Sequence, residues 1–177
     1  MHYLKRNIDG SKAIYKTQLE IKKNKSSLSF TFLLEHCSFN SYSNRYNDKL
    51  YLGDVIELFI TRKQKNHYYE IEVAPNGTLF FADIYNDDKN LSITYLENNG
   101  INVNTSNLGD VFCIEVLLSI SFFKDLDENT LFNAFRIETD NEKSEKHLFS
   151  LSPTYCNNFH KVKYFINLNK NIDKTIQ

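Results

Sequence analysis

Alternation of apolar and polar residues with a period of two is the feature that most restricts how this chain can fold. In the run SLSFTFLL, residues 27–34, the alternate positions are Leu28, Phe30, Phe32 and Leu34. This pattern is typical of a β-strand that buries one face against a core. Further strand-like runs are separated by polar connections, and they cover residues 53–60, 66–74, 78–85, 110–118, 133–138, 147–151 and 162–168.

The connections between these runs determine the fold class. No stretch of about ten residues with helical periodicity alternates with the strands, which disfavours a parallel sheet built from βαβ units. The pair Asn76-Gly77 between two runs predicts a β-hairpin, because both residue types tolerate positive φ. The sequence therefore predicts an all-β fold, an antiparallel two-sheet β-sandwich of jelly-roll or immunoglobulin-like type. With neither a repeat nor a linker, we expect a single domain over residues 1–177, with a core at about 14–168 and frayed ends.

Charge and hydropathy disfavour several classes of protein. The 21 basic and 22 acidic residues nearly cancel and form no basic block, so nucleic acid is not an expected partner. No apolar run approaches the roughly 18 residues of a membrane span, and MHYLKRNIDG lacks the apolar core of a signal peptide. The cysteines Cys37, Cys113 and Cys156 form an odd set with no close pair, which fits reduced thiols. We therefore expect a cytoplasmic protein without a membrane partner, whose oligomeric state the sequence leaves open.

Cys156 and His160, in the stretch LSPTYCNNFHKVKYF, raise the question of catalysis. A cysteine nucleophile needs a base within hydrogen-bond reach and usually a third group that orients the base. Four residues of strand span about 13 Å, and no second Cys/His pair lies at a zinc-ligand spacing. The common nucleophile and phosphate-loop motifs are absent as well. We interpret both residues as structural and expect no catalytic residue, metal ligand or cofactor; an enzyme that uses this pair is the least favoured alternative.

Two charged residues within apolar runs are candidates for ligand contact. Glu57 lies in the run 53–60 and Arg136 in the run 133–138. An unpaired buried charge is costly, so such a residue lies at the sheet rim in water, belongs to a structural ion pair between two strands, or points into a ligand site. Sugars suit such a site, because their C–H faces stack on aromatic rings and their hydroxyls bind charged side chains. The tyrosines that could supply these rings, or equally fill the core, are Tyr51, Tyr68, Tyr69 and Tyr155.

At these residues the sequence resembles the family 9 carbohydrate-binding modules, in particular stand-alone bacterial proteins of this type. The resemblance extends over roughly residues 14–168 and depends on the order and spacing of four short motifs. The motif residues are Asp54, Glu57 and Phe59 in a DxxE strand; Tyr68, Tyr69, Glu72, Asn76 and Gly77 in a YYxxE…NG hairpin; Phe135 and Arg136 in one strand; and Ser152, Pro153, Thr154, Phe159, His160 and Phe165 near the end.

The resemblance implies a non-catalytic β-sandwich that binds a sugar or a glycan end between two aromatic rings. In xylanase-attached members, one ring lies six residues before the DxxE glutamate, which contacts the sugar; the matching positions here are Tyr51 and Glu57. With polar neighbours and a second late ring, the candidate carbohydrate-binding residues are Tyr51, Glu57, Tyr69, Glu72, Arg136, Tyr155 and His160. The resemblance also allows structural calcium, without assigning its ligands.

Two classes of function follow from this reasoning. The leading hypothesis is a carbohydrate-binding module whose partner is a mono- or oligosaccharide. The family's ring positions hold tryptophan and this chain has none, which favours an alternative: a sandwich that has lost sugar binding and acts as a protein-interaction or structural subunit. An exposed apolar patch together with dimerisation would support the alternative.

Overall fold

The computed structural model describes residues 1–64, 66–140 and 145–173. The β-strands in these ranges, numbered in chain order, are β1 (His2–Tyr3), β2 (Lys5–Arg6), β3 (Thr17–Lys23), β4 (Ser27–Leu34), β5 (Val55–Thr61), β6 (His67–Val73), β7 (Leu79–Asn86), β8 (Leu91–Tyr95), β9 (Ile101–Asn107), β10 (Phe112–Ser119), β11 (Leu131–Asp140), β12 (Glu145–Ser150) and β13 (Ile166–Asn167). Short 3₁₀ helices cover Leu50–Leu52, Val162–Tyr164 and Asn169–Asn171. Within the same ranges, no helix has the length and apolar character needed to cross a membrane.

The strands form two antiparallel sheets that pack face to face. The smaller sheet has the order β1-β3-β4-β10-β9, and the larger has the order β2-β12-β11-β5-β6-β7-β8, with β13 paired to β11. All of these pairings are antiparallel. The predicted all-β, two-sheet sandwich is therefore confirmed.

The inner core lies between the two sheets. Phe30 and Phe32 of β4 are fully buried, and so are Val116 of β10, Leu58 of β5 and Phe132 of β11. The rings of Phe30 and Phe132 meet across the sandwich with centroids 5.9 Å apart. Burying one such side chain contributes about 1.5–3 kcal/mol, so this layer is the main source of stability. Strand β4 buries every second residue, as its alternation predicts.

A second core covers the outer face of the larger sheet. We call residues 151–165 the closing segment, because they run across this face. Phe159 of the closing segment stacks on Phe135 of β11 with ring centroids 4.2 Å apart and an interplanar angle of 13°. Phe165 packs edge-on against Phe59 and Tyr68. Strand β5 is consequently buried on both faces, which explains why its sequence is almost continuously apolar.

Two buried asparagines hold the closing segment in place. The side-chain amide of Asn7 donates to the Thr154 hydroxyl (2.8 Å) and to the Cys156 carbonyl (2.6 Å), and its oxygen accepts from the Thr154 amide. Asn133 of β11 donates to the Ser152 carbonyl (2.7 Å) and accepts from the Ser152 amide (3.0 Å). These bonds satisfy backbone groups that would otherwise be buried without partners.

The structure corrects the strand predicted at 162–168. This stretch forms a 3₁₀ helix at Val162–Tyr164 and only the two-residue strand β13. The edge of β11 that β13 uses is occupied by β12 from Phe135 onward and by the Leu151 amide at the Ala134 carbonyl, and β13 pairs only with Leu131 and Phe132. Strands β3, β8 and β9 were not predicted. The asparagine-rich β9 pairs with β10 and forms a polar edge strand.

The expectation of frayed ends is wrong for the described ends of the chain. Strand β1 pairs with β3, strand β2 pairs with β12, and Leu4 between them is buried in the inner core. Asp173 accepts a hydrogen bond from the Ile21 amide (2.8 Å) and binds the N-terminal ammonium group of Met1. Residues 174–177, which also belong to the predicted frayed end, lie outside the described ranges.

The predicted hairpin joins β6 to β7, but its turn differs from the expected one. Only Gly77 has positive φ, at +82°, whereas Asn76 does not. The Gly77 amide donates to the Ala74 carbonyl (2.9 Å) across Pro75 and Asn76. Proline at the first central position favours a type I turn, and the glycine that follows takes the left-handed position of a bulge.

Candidate functional site

A cavity of about 440 Å³ lies on the outer face of the larger sheet. Strands β5 and β6 contribute its acidic side chains, and strands β7 and β8 contribute apolar ones. The loop at residues 47–51 and the part of the closing segment at 157–160 also line it. This volume lies within the range of small-molecule sites, about 300–1,000 Å³.

Three glutamates on two neighbouring strands project into this cavity. Glu57 of β5 is directly opposite Glu72 of β6, and Glu70 lies on the same face two residues before Glu72. All three side chains are buried. One carboxylate oxygen from each lies within 4.8 Å of those of the other two. The sheet thus presents three acceptors at one place on a rigid surface.

The environment of these glutamates opposes their ionisation. Burial, followed by the charge of Glu70, raises the pKa of Glu57 well above its usual value, and Lys146 lowers it in part. Burial raises the pKa of Glu70 to about 7. Burial, the charges of Glu57 and Glu70 and a hydrogen bond with the Glu70 side chain raise the pKa of Glu72, against the backbone amide of Tyr51. Among the salt bridges of the described chain, none involves these carboxylates, and Oε2 of Glu72 is buried without a hydrogen-bond partner.

Two exposed tyrosine rings line the same cavity. Tyr51 is 43% exposed and lies on the first 3₁₀ helix, while Tyr95 is 61% exposed and ends strand β8. Phe80 of β7 supports Tyr95 edge-on, with ring centroids 5.8 Å apart. Large rings that remain in water are available for stacking on a ligand.

Close backbone packing positions Tyr51. The 3₁₀ helix is anchored by buried Leu50, whose carbonyl accepts from the Gly53 amide (2.9 Å). A Cβ at Gly53 would lie 2.2 Å from the Asn40 carbonyl oxygen, so only glycine allows this approach. Lys146 also donates to the Tyr51 carbonyl (2.8 Å).

His160 contributes a neutral imidazole to the cavity. Burial lowers the pKa of His160 to about 4, and its Nδ1 lies 2.6 Å from the hydroxyl of Tyr68. A neutral ring that accepts from Tyr68 at Nδ1 keeps Nε2–H as a donor. The Cys156 thiol instead donates to the Asn158 carbonyl (3.4 Å). Each side chain thus has its own partners, which fits the structural interpretation of the pair.

Four of the seven predicted site residues meet at this cavity: Tyr51, Glu57, Glu72 and His160. The other three lie elsewhere. Tyr155 is 58% exposed and packs against Tyr164, away from the lining residues. The suggestion that Tyr155 is the second ring of the site therefore finds no support in its position.

Tyr69 and Arg136 face the interior between the sheets, because strand alternation turns them away from the outer face. The Tyr69 hydroxyl donates to Asp125 (3.1 Å). The Arg136 guanidinium binds Thr17 (2.8 Å), Glu138 (2.5 Å) and the His36 carbonyl. Arg136 is therefore part of a structural ion pair, but its partner Glu138 lies on the same strand, β11, and not on a second strand as expected.

Among the lining residues that the sequence analysis did not predict, Glu70 and Tyr95 matter most to the site. Glu70 lies two positions before Glu72, so strand alternation places both side chains on the same face of the strand. The prediction of Glu72 as a site residue could therefore have included Glu70. Leu91, Ile93 and Tyr95 alternate at a period of two, a signal that could have identified β8. Strand β8 has only five residues, and all of them are exposed, so it has no buried face to distinguish it in the sequence.

Two groups of side chains in the described ranges bear on calcium binding. In the group of Cys37, Asp54 and Glu138, the carboxylate oxygens already accept hydrogen bonds from protein donors, including Arg136. Calcium needs six to eight oxygen ligands, so this group does not fit the ion. The group of three glutamates in the cavity retains an acceptor without a partner, and its donor set fits a positively charged ligand.

Neither a protein family nor a curated protein matches this sequence, whereas solved structures match its fold. A candidate carbohydrate-binding protein from Bacteroides uniformis matches with a TM-score of 0.71 at 13% identity, over 93% of this chain and 83% of the other. A family 9 carbohydrate-binding module from Caldicellulosiruptor kristjanssonii matches in its complex with glucose (TM-score 0.56, 11% identity, 85% and 74% of the two chains). Its complex with cellotriose gives a TM-score of 0.57 at 11% identity, over 85% and 72%.

These similarities define the class of fold, a β-sandwich of the kind found in carbohydrate-binding proteins. More particularly, the chain has a fold like that of the family 9 carbohydrate-binding modules. The resemblance seen in the sequence is confirmed at the level of the fold.

Proposed function

We propose that this protein is a non-catalytic carbohydrate-binding module that takes a sugar or a glycan end into the cavity over β5 and β6. One observation carries the proposal: two exposed tyrosine rings and buried carboxylates line the same cavity. Aromatic rings stack on the C–H faces of a sugar, while carboxylates accept from its hydroxyls. The family 9 modules of the same fold, bound to glucose and cellotriose, support it.

The lining residues have distinct roles in this proposal. Tyr51 and Tyr95 contact the faces of the sugar ring. Glu57 and Glu72 accept hydrogen bonds from hydroxyl groups. His160 is neutral, and its Nε2–H donates to a sugar oxygen.

The arrangement of the carboxylates favours binding over hydrolysis. Glycosidases place two carboxyl groups on either side of the scissile bond. Here Glu57, Glu70 and Glu72 project from one face of adjacent strands, so they contact the same side of a ligand. We expect no release of nitrophenol from nitrophenyl glycosides, and release that depends on Glu57 or Glu72 would contradict this.

The test is a saturation-transfer NMR screen of mono- and oligosaccharides. We expect transfer to at least one sugar in the wild type and its loss in Tyr51→Ala and in Tyr95→Ala. Tyr155→Ala is the matched control, because it removes an equally exposed ring outside the cavity. Thermal unfolding of each variant ensures that a lost signal comes from a folded protein.

Two results would count against the proposal. Loss of transfer only in Tyr155→Ala would place the sugar elsewhere. Silence across the panel would favour the protein-interaction module, for which the exposed Tyr42, Tyr46 and Leu52 offer apolar surface. Sedimentation analysis would then test for self-association.

We also propose that binding takes place in the cytoplasm. Cys37, Cys113 and Cys156 are free thiols, which supports a reducing compartment. Cell fractionation tests this, and recovery outside the cytoplasmic fraction would refute it.

A further inference from the structure

We propose that the cavity prefers a cationic amino sugar, a hexose whose protonated primary amine binds among Glu57, Glu70 and Glu72. This inference rests on the proposed function and narrows its ligand class from sugars in general to those with a positive charge. The inference concerns the amine of the ligand, which lies against the glutamates of the sheet, whereas Tyr51 and Tyr95 contact the sugar ring.

The geometry of the three carboxylates suits an ammonium group. One oxygen from each lies within 4.8 Å of the other two. An ammonium group has three N–H donors besides its bond to carbon. At a donor–acceptor distance of about 2.8 Å and tetrahedral angles, its three acceptors lie about 4.6 Å apart. Oxygens no more than 4.8 Å apart are therefore all within reach of one ammonium group.

A buried acceptor without a partner points to a ligand at this place. Oε2 of Glu72 lacks a hydrogen-bond partner although Glu72 lines the cavity and is almost fully buried. A buried unsatisfied polar atom costs about 1–3 kcal/mol, more if charged. A neutral hydroxyl could satisfy this oxygen alone. An ammonium group can donate to this oxygen and to its two neighbours at once, and its charge offsets the cost of ionising the three carboxyl groups.

The charged groups around the cavity form no salt bridge with the glutamates among the described residues, although the charge of Lys146 lowers the pKa of Glu57 in part. Asp48 and Lys49 line the cavity with opposite charges. Lys146 donates to the Tyr51 carbonyl. His160 is neutral, since burial lowers its pKa to about 4. Within the described part of the chain, no salt bridge therefore competes with a ligand cation for the three carboxyl groups.

The size of the cavity favours an organic cation over a bare metal ion. A calcium ion needs a compact shell of six to eight oxygens. The cavity instead encloses about 440 Å³ and is lined by Tyr51, Phe80 and Tyr95, a volume and a surface that suit a ring. A ligand with one positive end and an apolar face uses both features.

Binding of an ammonium group also has a distinct thermodynamic signature. Burial raises the pKa values of all three glutamates, that of Glu70 to about 7. Without a ligand, the group therefore retains protons near neutral pH. A cation favours the ionised forms, so its binding releases protons, whereas binding of a neutral sugar does not.

The experiment is titration calorimetry with glucosamine, glucose and N-acetylglucosamine near pH 7, in buffers that differ in ionisation enthalpy. Glucose lacks the amine, and N-acetylglucosamine keeps the nitrogen without its charge. We expect glucosamine to bind at least about tenfold more tightly than either, as a charge-assisted hydrogen bond in a buried site allows. Proton release should accompany glucosamine alone.

Variants assign the preference to the three glutamates. Glu70→Gln and Glu72→Gln each remove one carboxyl group that can ionise on binding a cation, at nearly constant shape, and should bring the affinity for glucosamine close to that for glucose. Glu115→Gln is the matched control, because it removes a charge from β10, on the other sheet. It should leave the preference intact.

The outcomes separate this inference from the function on which it rests. Equal binding of glucose and glucosamine at this cavity would overturn the inference and leave the carbohydrate-binding function standing. Absence of binding by every sugar would overturn both. Calcium binding that is lost in Glu72→Gln, without a preference for glucosamine, would also overturn the inference and indicate an inorganic cation site.

Discussion

Buried glutamates occur in two contrasting environments in this protein. The side chain of Glu138 is only 1% exposed, and it lies 2.5 Å from the guanidinium group of Arg136. Glu57, Glu70 and Glu72 are buried to a similar extent without a cation in salt-bridge range among the described residues. A paired buried charge is a structural device, whereas an unpaired set beside a cavity is one that a ligand can complete.

The raised pKa of Glu70 predicts how stability changes with pH. Its pKa is about 7 in the folded protein against an ordinary 4.5, so the folded state holds the proton more tightly. The stabilisation is complete below about pH 4.5 and is lost as pH rises through about 7. The raised pKa values of Glu57 and Glu72 also make the free energy of unfolding decrease as pH rises. We expect Glu70→Gln to be more stable than wild type near pH 8, by of the order of 2 kcal/mol.

Urea unfolding between about pH 5 and pH 8 measures this effect. The wild-type free energy of unfolding should fall over this range, and Glu70→Gln should show a smaller decrease. Glu115→Gln serves as the control, and its profile should follow that of wild type. Parallel profiles for wild type and Glu70→Gln would contradict the environment described for Glu70.

The Arg136–Glu138 pair predicts a large effect on stability from a residue outside the cavity. Arg136→Met leaves Glu138 buried without its cation, which typically costs about 3–5 kcal/mol. The double variant Arg136→Met/Glu138→Gln should recover part of this loss. Chemical unfolding measures both values. A loss below about 1 kcal/mol for Arg136→Met would show that the pair is not the structural device described above.

At the scale of elements, the closing segment links the stability of the fold to the cavity. Its residues 157–160 line the cavity, and Phe159 belongs to the outer core. The segment has little regular structure of its own, so side-chain hydrogen bonds and ring stacking hold its backbone. A change to these anchors should therefore affect ligand binding at a distance.

Asn7 provides the clearest test of this link. Asn7→Ala removes three hydrogen bonds to residues 154–156 within a buried site, and we expect a loss of about 2–3 kcal/mol. Affinity for the ligand should also decrease, because the loosened segment carries His160. Asn104→Ala, on the edge strand β9, is the control and should change stability by less than about 0.5 kcal/mol. Unchanged affinity in folded Asn7→Ala would show that the anchoring of the closing segment does not affect ligand binding.

At the scale of the whole molecule, the two sheets differ in how they are covered. The inner face of each sheet packs in the common core, and within the described residues only the larger sheet also has an outer core. Strands β5 and β6 are buried on both faces, whereas every residue of the edge strand β8 is exposed. Local opening is easiest where few apolar contacts are lost.

This difference predicts a gradient of amide protection across the larger sheet. Amides of β5 and β6 should exchange only through global unfolding, and those of β8 through local opening. Hydrogen exchange followed by mass spectrometry measures both. Because Tyr95 lies at the end of β8, a bound sugar should slow exchange in β8 more than in β9 of the other sheet. Equal protection of β5 and β8 without ligand would contradict the gradient.

Much of the fold was predictable because it depends on local patterns. The alternation in residues 27–34 indicated β4 directly, and the Asn76-Gly77 pair indicated the hairpin between β6 and β7. The failures have physical causes. The predicted strand at 162–168 had too little free edge on β11, and the polar strand β9 is stabilised by its neighbour β10.

The site was predictable only in part, because strand alternation assigns residues to faces without saying which face meets a ligand. Tyr68 and Tyr69 are adjacent, yet one lies in the outer core and the other in the inner core. Glu57 and Arg136 looked alike as charges in apolar runs, and they lie on opposite faces of the larger sheet. The second exposed ring, Tyr95, comes from a strand that the sequence analysis did not identify.

The sequence by itself determined the all-β class, most of the strands and the nearness of Tyr51 to Glu57, since these depend on residues close together in the chain. Only the tertiary structure decided that Glu57, Glu70 and Glu72 form one group, that Tyr95 joins Tyr51, and that Arg136 pairs with Glu138. These arrangements depend on strand register and on the closing segment that covers the outer face. Register and coverage bring together residues far apart in sequence, and no local pattern specifies them.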